Sequence, residues 1–143
     1  MKMVSKFALT VLGIAFLYLL ISGNLFSRSV FVIAGQLLAI ALGIWSRQSF
    51  QAGQFNIHSE PIGGQLIRTG PYQFIRHPMY AAALLLLWSS IIGHLSAITI
   101  VVGMVVTIVV AIRIMTEDQL LLAWFPDYAE YSRTTKRIVP FIL

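Results

Sequence analysis

Two places in this chain combine charge with a helix boundary in a way that could support chemistry. Gly70-Pro71-Tyr72-Gln73-Phe74-Ile75-Arg76-His77-Pro78-Met79-Tyr80 leads directly into an apolar run. Pro78 reads as the first helical residue, since its missing N–H would be an orphan donor there anyway. Arg76 and His77 then stand at the positive end of a helix, where outward-pointing N–H groups favour an anion such as a carboxylate. The plainer reading makes Arg76 a charge anchor and Tyr72 and Tyr80 membrane-interface aromatics. The second place is Arg113-Ile-Met-Thr-Glu117-Asp118-Gln-Leu120, which closes another apolar run with adjacent carboxylates. Arg113 and Glu117 are four apart on one helical face, a spacing that by itself gives a surface ion pair worth about 0.2–0.5 kcal/mol. Glu117 and Asp118 project about 100° apart, which predicts one of them in a pocket with Arg113 and the other towards solvent or a loop.

Beyond them, Leu120, Trp124, Tyr128 and Tyr131 recur at i, i+4, i+8 and i+11, the pattern of a helix lying along a membrane surface. Pro126 is expected to kink or restart it. Arg133, Lys136 and Arg137 read as contacts to lipid headgroups, with Pro140 to Leu143 as a short apolar tail. No HExxH, CxxC, P-loop or GxGxxG occurs, and His58, His77 and His94 are too scattered to predict a metal site. No serine has the context of a nucleophile elbow. The absence of cysteine removes thiolate chemistry and disulfides.

The elements that must position these residues follow from composition. Of 143 residues, 58% are hydrophobic and 10% charged, against about 45–50% and about 25% in soluble domains. A chain this short cannot hide so much apolar surface in one core, so the remainder must meet lipid. Four apolar runs stand out, at about 7–22, 30–46, 79–92 and 95–114. The predicted fold is therefore an all-α integral membrane protein of about four spans in a single domain over residues 1–143, with a cytoplasmic loop and a C-terminal interfacial helix. The third run is short for a bilayer of about 30 Å, and Gly93-His94 marks a tight hairpin into the fourth. A signal peptide is the rival reading of Met1 to Gly23, but the run is longer than a usual h-region and its end lacks an A-x-A pattern.

Net charge is +5, yet the basic residues form no stripe interleaved with aromatics, so nucleic acid is not the expected partner. They report topology instead. On a four-span reading, nine of the ten Lys and Arg fall on one side and Arg28 alone on the other, which places both termini and the Arg47 to Arg76 segment in the cytoplasm. All five acids share that side. The segment from Gln51 to Arg76 is long for a loop. Phe55, Ile57, Leu66 and Ile67 around Pro61, Gly63 and Gly64 predict a hairpin-like order in it.

The ordered set Gly70-Pro-Tyr-x-x-Ile-Arg76-His77-Pro78-Met-Tyr80, Glu117-Asp118-x-Leu120, Phe125-x-x-Tyr128-x-x-Tyr131 and Thr135-x-Arg137-x-x-Pro140 resembles the isoprenylcysteine carboxyl methyltransferase family, whose core is shared with membrane phospholipid methyltransferases. The likeness covers roughly Phe50 to Leu143, and the first two spans carry no motif. It implies an S-adenosylmethionine-dependent enzyme with its cofactor region at 70–82 and 113–140. Within that implication, the cofactor's carboxylate suits Arg76, His77 and the helix start at Pro78. Glu117 or Asp118 suits its hydroxyl or amino groups. Tyr72, Tyr80, Trp124 and Tyr128 would wall the adenine or the sulfonium. Methyl transfer depends mainly on positioning. Arg113, Arg133 and Arg137, with Glu117, are the candidates for the catalytic side, the arginines orienting an anionic acceptor. The chain departs from the family pattern at Asp118, where glutamate is frequent, at Ala82, where glycine often follows, and at Pro126.

The implied acceptor is lipophilic: a small isoprenoid, fatty or phospholipid molecule or a lipid-modified one, reached from among membrane lipids. Three other classes compete with this one. A four-span transporter would need an ionisable group inside a span, and the first three runs have none. A sterol-reductase-like enzyme would take NADPH in a similar cavity. A non-catalytic scaffold would use the same motifs structurally. Oligomeric state is left open by the sequence.

Overall fold

The computed structural model describes residues 2–50 and 66–139. Among them the chain is helical, with α1 (Lys2–Ile21), α2 (Val30–Gln48), a 3-10 turn (Gly70–Gln73), α3 (Pro78–Gly93), α4 (Ala97–Trp124) and α5 (Tyr128–Thr134). The four apolar runs appear as α1 to α4. The hairpin expected around Pro61 to Gly64 and the Pro140 to Leu143 tail lie outside the described residues. By length and composition, α2 and α4 are able to cross a membrane alone, whereas the apolar part of α1 and all of α3 are shorter.

Local chemistry sets the boundaries. Pro78 opens α3 at its first position as the sequence predicts. Ser96 caps α4 through a reciprocal pair: its hydroxyl accepts from Thr99 N at 3.1 Å, while its own N–H donates to the Thr99 hydroxyl at 2.9 Å. α4 does not stop at residue 114. It runs ten residues further, because Thr116 to Gln119 are polar but not helix-breaking, and it ends at the residue before Phe125-Pro126. At about 1.5 Å per residue, its 28 residues make a rod of about 42 Å, longer than a hydrocarbon core of about 30 Å.

Packing follows the order α2, α3, α4, α1 across the molecule, so consecutive helices α1 and α2 end up on opposite flanks. The core lies where α1, α3 and α4 meet: Ala15 and Leu19 pack with Leu87, Ile91, Val106, Val110 and Ile114. Gly103 permits the α3–α4 approach, since a Cβ there would lie 2.7 Å from Ile91 Cδ1 and 3.0 Å from Trp88. Trp88 Nε1 donates to the Thr107 hydroxyl at 3.0 Å beside it. Outward faces carry large exposed apolar side chains, among them Leu17, Phe31, Leu38, Ile44, Ile108 and Met115.

The two ends of this layer differ. At one end Gln36 Nε2 reaches the Leu25 carbonyl at 2.6 Å and the Ser90 hydroxyl at 3.0 Å, joining the α1–α2 turn to α3. At the other, the backbone of Gly70 lies against Ser49 and Trp45 at the end of α2. Gly70 has φ +60° there, a conformation only glycine takes without cost. This second end holds Arg76, His77, the last turns of α4, and α5.

Candidate functional site

Asp118 is the centre of the charged end. Its Oδ1 meets His77 Nε2 at 2.8 Å and accepts from the Tyr128 hydroxyl, and its Oδ2 accepts from Arg137 Nε at 3.0 Å. Arg76 Nε lies 3.8 Å from Oδ1. The Asp118 side chain is 10% exposed and that of Arg76 9%. Three segments, at 76–77, at Tyr128 and at Arg137, thus bring donors or positive charge to one carboxylate on a fourth. Charge-assisted hydrogen bonds of this kind are worth about 1.5–3 kcal/mol each.

Glu117 belongs to a second, linked chain of contacts. Arg113 Nε donates to the Tyr80 hydroxyl, which donates to Glu117 Oε2 at 2.7 Å. The Arg113 guanidinium also stands over the Tyr80 ring, 5.2 Å from its centroid, and Tyr80 stacks on His77 at 5.6 Å. The Tyr80 hydroxyl therefore sits between the two ends of the pair that helical spacing foresees at 113 and 117. The division expected between the two acids, one inward and one outward, is not what the structure shows. Both carry inward contacts, and Asp118 is the buried one.

The remaining contacts hold the scaffold of the cluster. Arg76 N donates to Lys136 O at 2.7 Å and His77 N to Arg137 O at 2.9 Å, with Lys136 N returning to Phe74 O at 3.3 Å. This short parallel bridge between Ile75 and Lys136 satisfies the backbone just before the start of α3. The Arg76 side chain is spent partly on the same job, with Nη1 donating to Ser132 O at 2.6 Å and Thr135 O at 3.3 Å. Its Nε, by contrast, is buried and has no hydrogen-bond partner among the described residues. Buried donors are rarely left so.

Three phenols outside the long helices frame the site. Burial, then the hydrogen bond to Asp118, raises the Tyr128 hydroxyl above the ordinary phenol range. Burial raises Tyr131 to about 12, and its hydroxyl donates to Tyr72 O. Burial and the negative field of Glu117 raise Tyr72. All three remain donors at neutral pH.

The expected stripe from Leu120 to Tyr131 is not continuous. Phe125-Pro126 separates α4 from α5, leaving Trp124 63% exposed while Tyr128 and Tyr131 turn inward. α5 is a seven-residue clamp on the cluster, not a long surface helix, because its two tyrosines find buried partners. Of the sequence-derived residues, Tyr72, Arg76, His77, Pro78, Tyr80, Arg113, Glu117, Asp118, Tyr128 and Arg137 come together, and exposed Arg133 stands apart. Sequence reasoning missed the bridge at Lys136 and the clamp by Tyr131. The Thr135-x-Arg137 spacing was the only available signal for the first.

No solved structure matches the chain. The cobalt-zinc-cadmium resistance protein CzcN of Cupriavidus metallidurans is 36% identical over 76 residues, 52% of this chain and 35% of the relative. The chain thus spans about a third of that curated relative's length. A family model described as phospholipid methyltransferase matches residues 18–127, a stretch that contains α2 to α4, Arg76-His77-Pro78 and both central carboxylates. A match over most of the chain, including the hub of the cluster, makes this protein a member of the phospholipid methyltransferase family, in the group that also holds the isoprenylcysteine methyltransferases.

Proposed function

We propose that the protein is an integral membrane methyltransferase that uses S-adenosylmethionine and acts on a lipophilic acceptor, with its site on the cytoplasmic face. The observation that carries this reading is the convergence of Arg76, His77, Glu117 and Asp118 into one cluster, in a chain of a methyltransferase family. All four long helices cross the bilayer in this proposal, as a single membrane domain. α3 spans by local thinning or by starting within the interface, since its 16 residues reach only about 24 Å. The clustering of basic residues at the charged end favours its cytoplasmic placement.

The residues present fit the cofactor. The buried Arg76 Nε–H needs an acceptor, and a ligand carboxylate supplies one at the positive start of α3. Glu117 Oε1 accepts from no described residue, leaving it for hydroxyl or amino donors. Tyr72, Tyr80 and Tyr128 offer aromatic surface for an adenine or a sulfonium. When bound, S-adenosylmethionine supplies an electrophilic methyl group. The chain's own task is to orient the acceptor against it, which assigns Arg113 and Arg137, with Arg133 at the rim, to an anionic acceptor head such as a lipid or isoprenoid carboxylate.

Calorimetric titration of the detergent-purified protein with S-adenosylhomocysteine, and in parallel with NADPH, tests the reading. Binding of the former alone is expected, weakened about tenfold or more in His77→Ala and Glu117→Ala. Binding of NADPH alone would move the assignment to a reductase. Binding of neither to a folded sample would end it.

A further inference from the structure

We infer that Asp118 is a positioning residue: it fixes the His77 ring with Nε2 as the donor, and it leaves ligand contact to Glu117 and to His77 Nδ1. The inference rests on the cofactor site proposed above and divides its two carboxylates by role. Asp118 Oδ1 already serves His77 and Tyr128, and Oδ2 serves Arg137. The Arg76 guanidinium closes another side at 3.8 Å. Of the about four lone-pair sites a carboxylate offers, the chain's own donors fill three, and the Arg76 guanidinium stands beside Oδ1. Little of Asp118 is left for a ligand. Glu117 differs, because Tyr80 occupies a single oxygen of it.

The tautomer of His77 follows. An ionised carboxylate only accepts, so the ring nitrogen facing it must carry the proton. Nδ1 has no partner among the described residues. On a neutral ring it is an acceptor, suited to an ammonium N–H and not to a carboxylate. An amino-acid moiety would then lie with its carboxylate on Arg76 and its ammonium between His77 Nδ1 and Glu117.

The test uses the full chain in detergent, labelled with 15N-histidine, with the His77 resonances assigned by comparison with His77→Gln. The expected wild-type result is a ring that carries its proton on Nε2 and leaves Nδ1 as the acceptor. In Asp118→Asn the ring should become a tautomer mixture, while Glu117→Gln leaves it unchanged. A wild-type ring protonated at Nδ1 or at both nitrogens, or a tautomer unmoved in Asp118→Asn, would overturn the inference.

Affinity for S-adenosylhomocysteine supplies the second readout. His77→Gln and Asp118→Asn should each weaken binding about tenfold, and the double variant should be within about twofold of either single one, because both act through one ring. Multiplying losses would show Asp118 contacting the ligand independently and would defeat the proposal. Failure of the wild type to bind removes the cofactor assignment and the ligand half of the inference with it, while the tautomer still decides the positioning half.

Discussion

The two ends of the helical layer both bury polar side chains, and they do so in opposite styles. Around Gln36 the network is neutral and its donors are closed off: one amide NH2 spans a turn carbonyl and a serine on α3, and Ser90 itself donates to Leu86 O at 2.9 Å. Around Asp118 the network is charged and open, with a buried Arg76 Nε lacking an acceptor and a Glu117 oxygen unused among the described residues. A neutral network whose donors are paired serves packing. A charged one that leaves donors and acceptors over, in a setting where such groups are costly, is arranged for something that arrives later.

That contrast can be broken by substitution. Asp118→Ala should have the largest effect, since it leaves His77, Tyr128 and Arg137 without their shared acceptor and buried Arg76 without its counter-charge. A loss of about 3–5 kcal/mol is expected, read as a lowered unfolding midpoint in detergent together with lost S-adenosylhomocysteine binding. Gln36→Leu at the closed end should cost about 0.6–1.7 kcal/mol with cofactor affinity unchanged. Loss of affinity in that variant would show that the two ends are coupled and the contrast is false. Asp127→Ala should do least. Its pair with Arg68 spans 3.7 Å between side chains 43% and 76% exposed, and a surface pair contributes about 0–1 kcal/mol. A large effect there would extend the working cluster beyond the residues around Asp118.

Much of this was legible in the sequence, for reasons that can be named. Apolar runs bounded by Gly, Asn and Ser gave the positions of α2 and α3 nearly to the residue, because the signals that end a run also end a helix. The end of α4 was misplaced because hydropathy falls at Thr116 while helix propensity does not, and the backbone heeds the latter until Pro126. Arg76, His77, Glu117 and Asp118 were recognisable as chemistry from type and spacing. Their division was not. Which acid faces Arg113, and which gathers the arginines, depends on where Tyr80 and Tyr128 place their hydroxyls, and no one-dimensional periodicity encodes a meeting of four separate segments. The inward turn of Tyr128 and Tyr131 was hidden likewise, since a stripe at helical spacing looks the same whether one helix carries it or two.

The parallel bridge between Ile75 and Lys136 and the clasp of Arg137 on Asp118 also set a schedule for synthesis. Arg76 and His77 leave the ribosome some sixty residues before Arg137, and α3 and α4 can form in that interval. Until the final stretch is translated, Asp118 lacks one of its partners and the backbone ahead of Pro78 has no strand to pair with. The cluster is therefore completed only once Arg137 has been made, and a chain stalled before it would carry the family's central motifs without a finished place for them to meet.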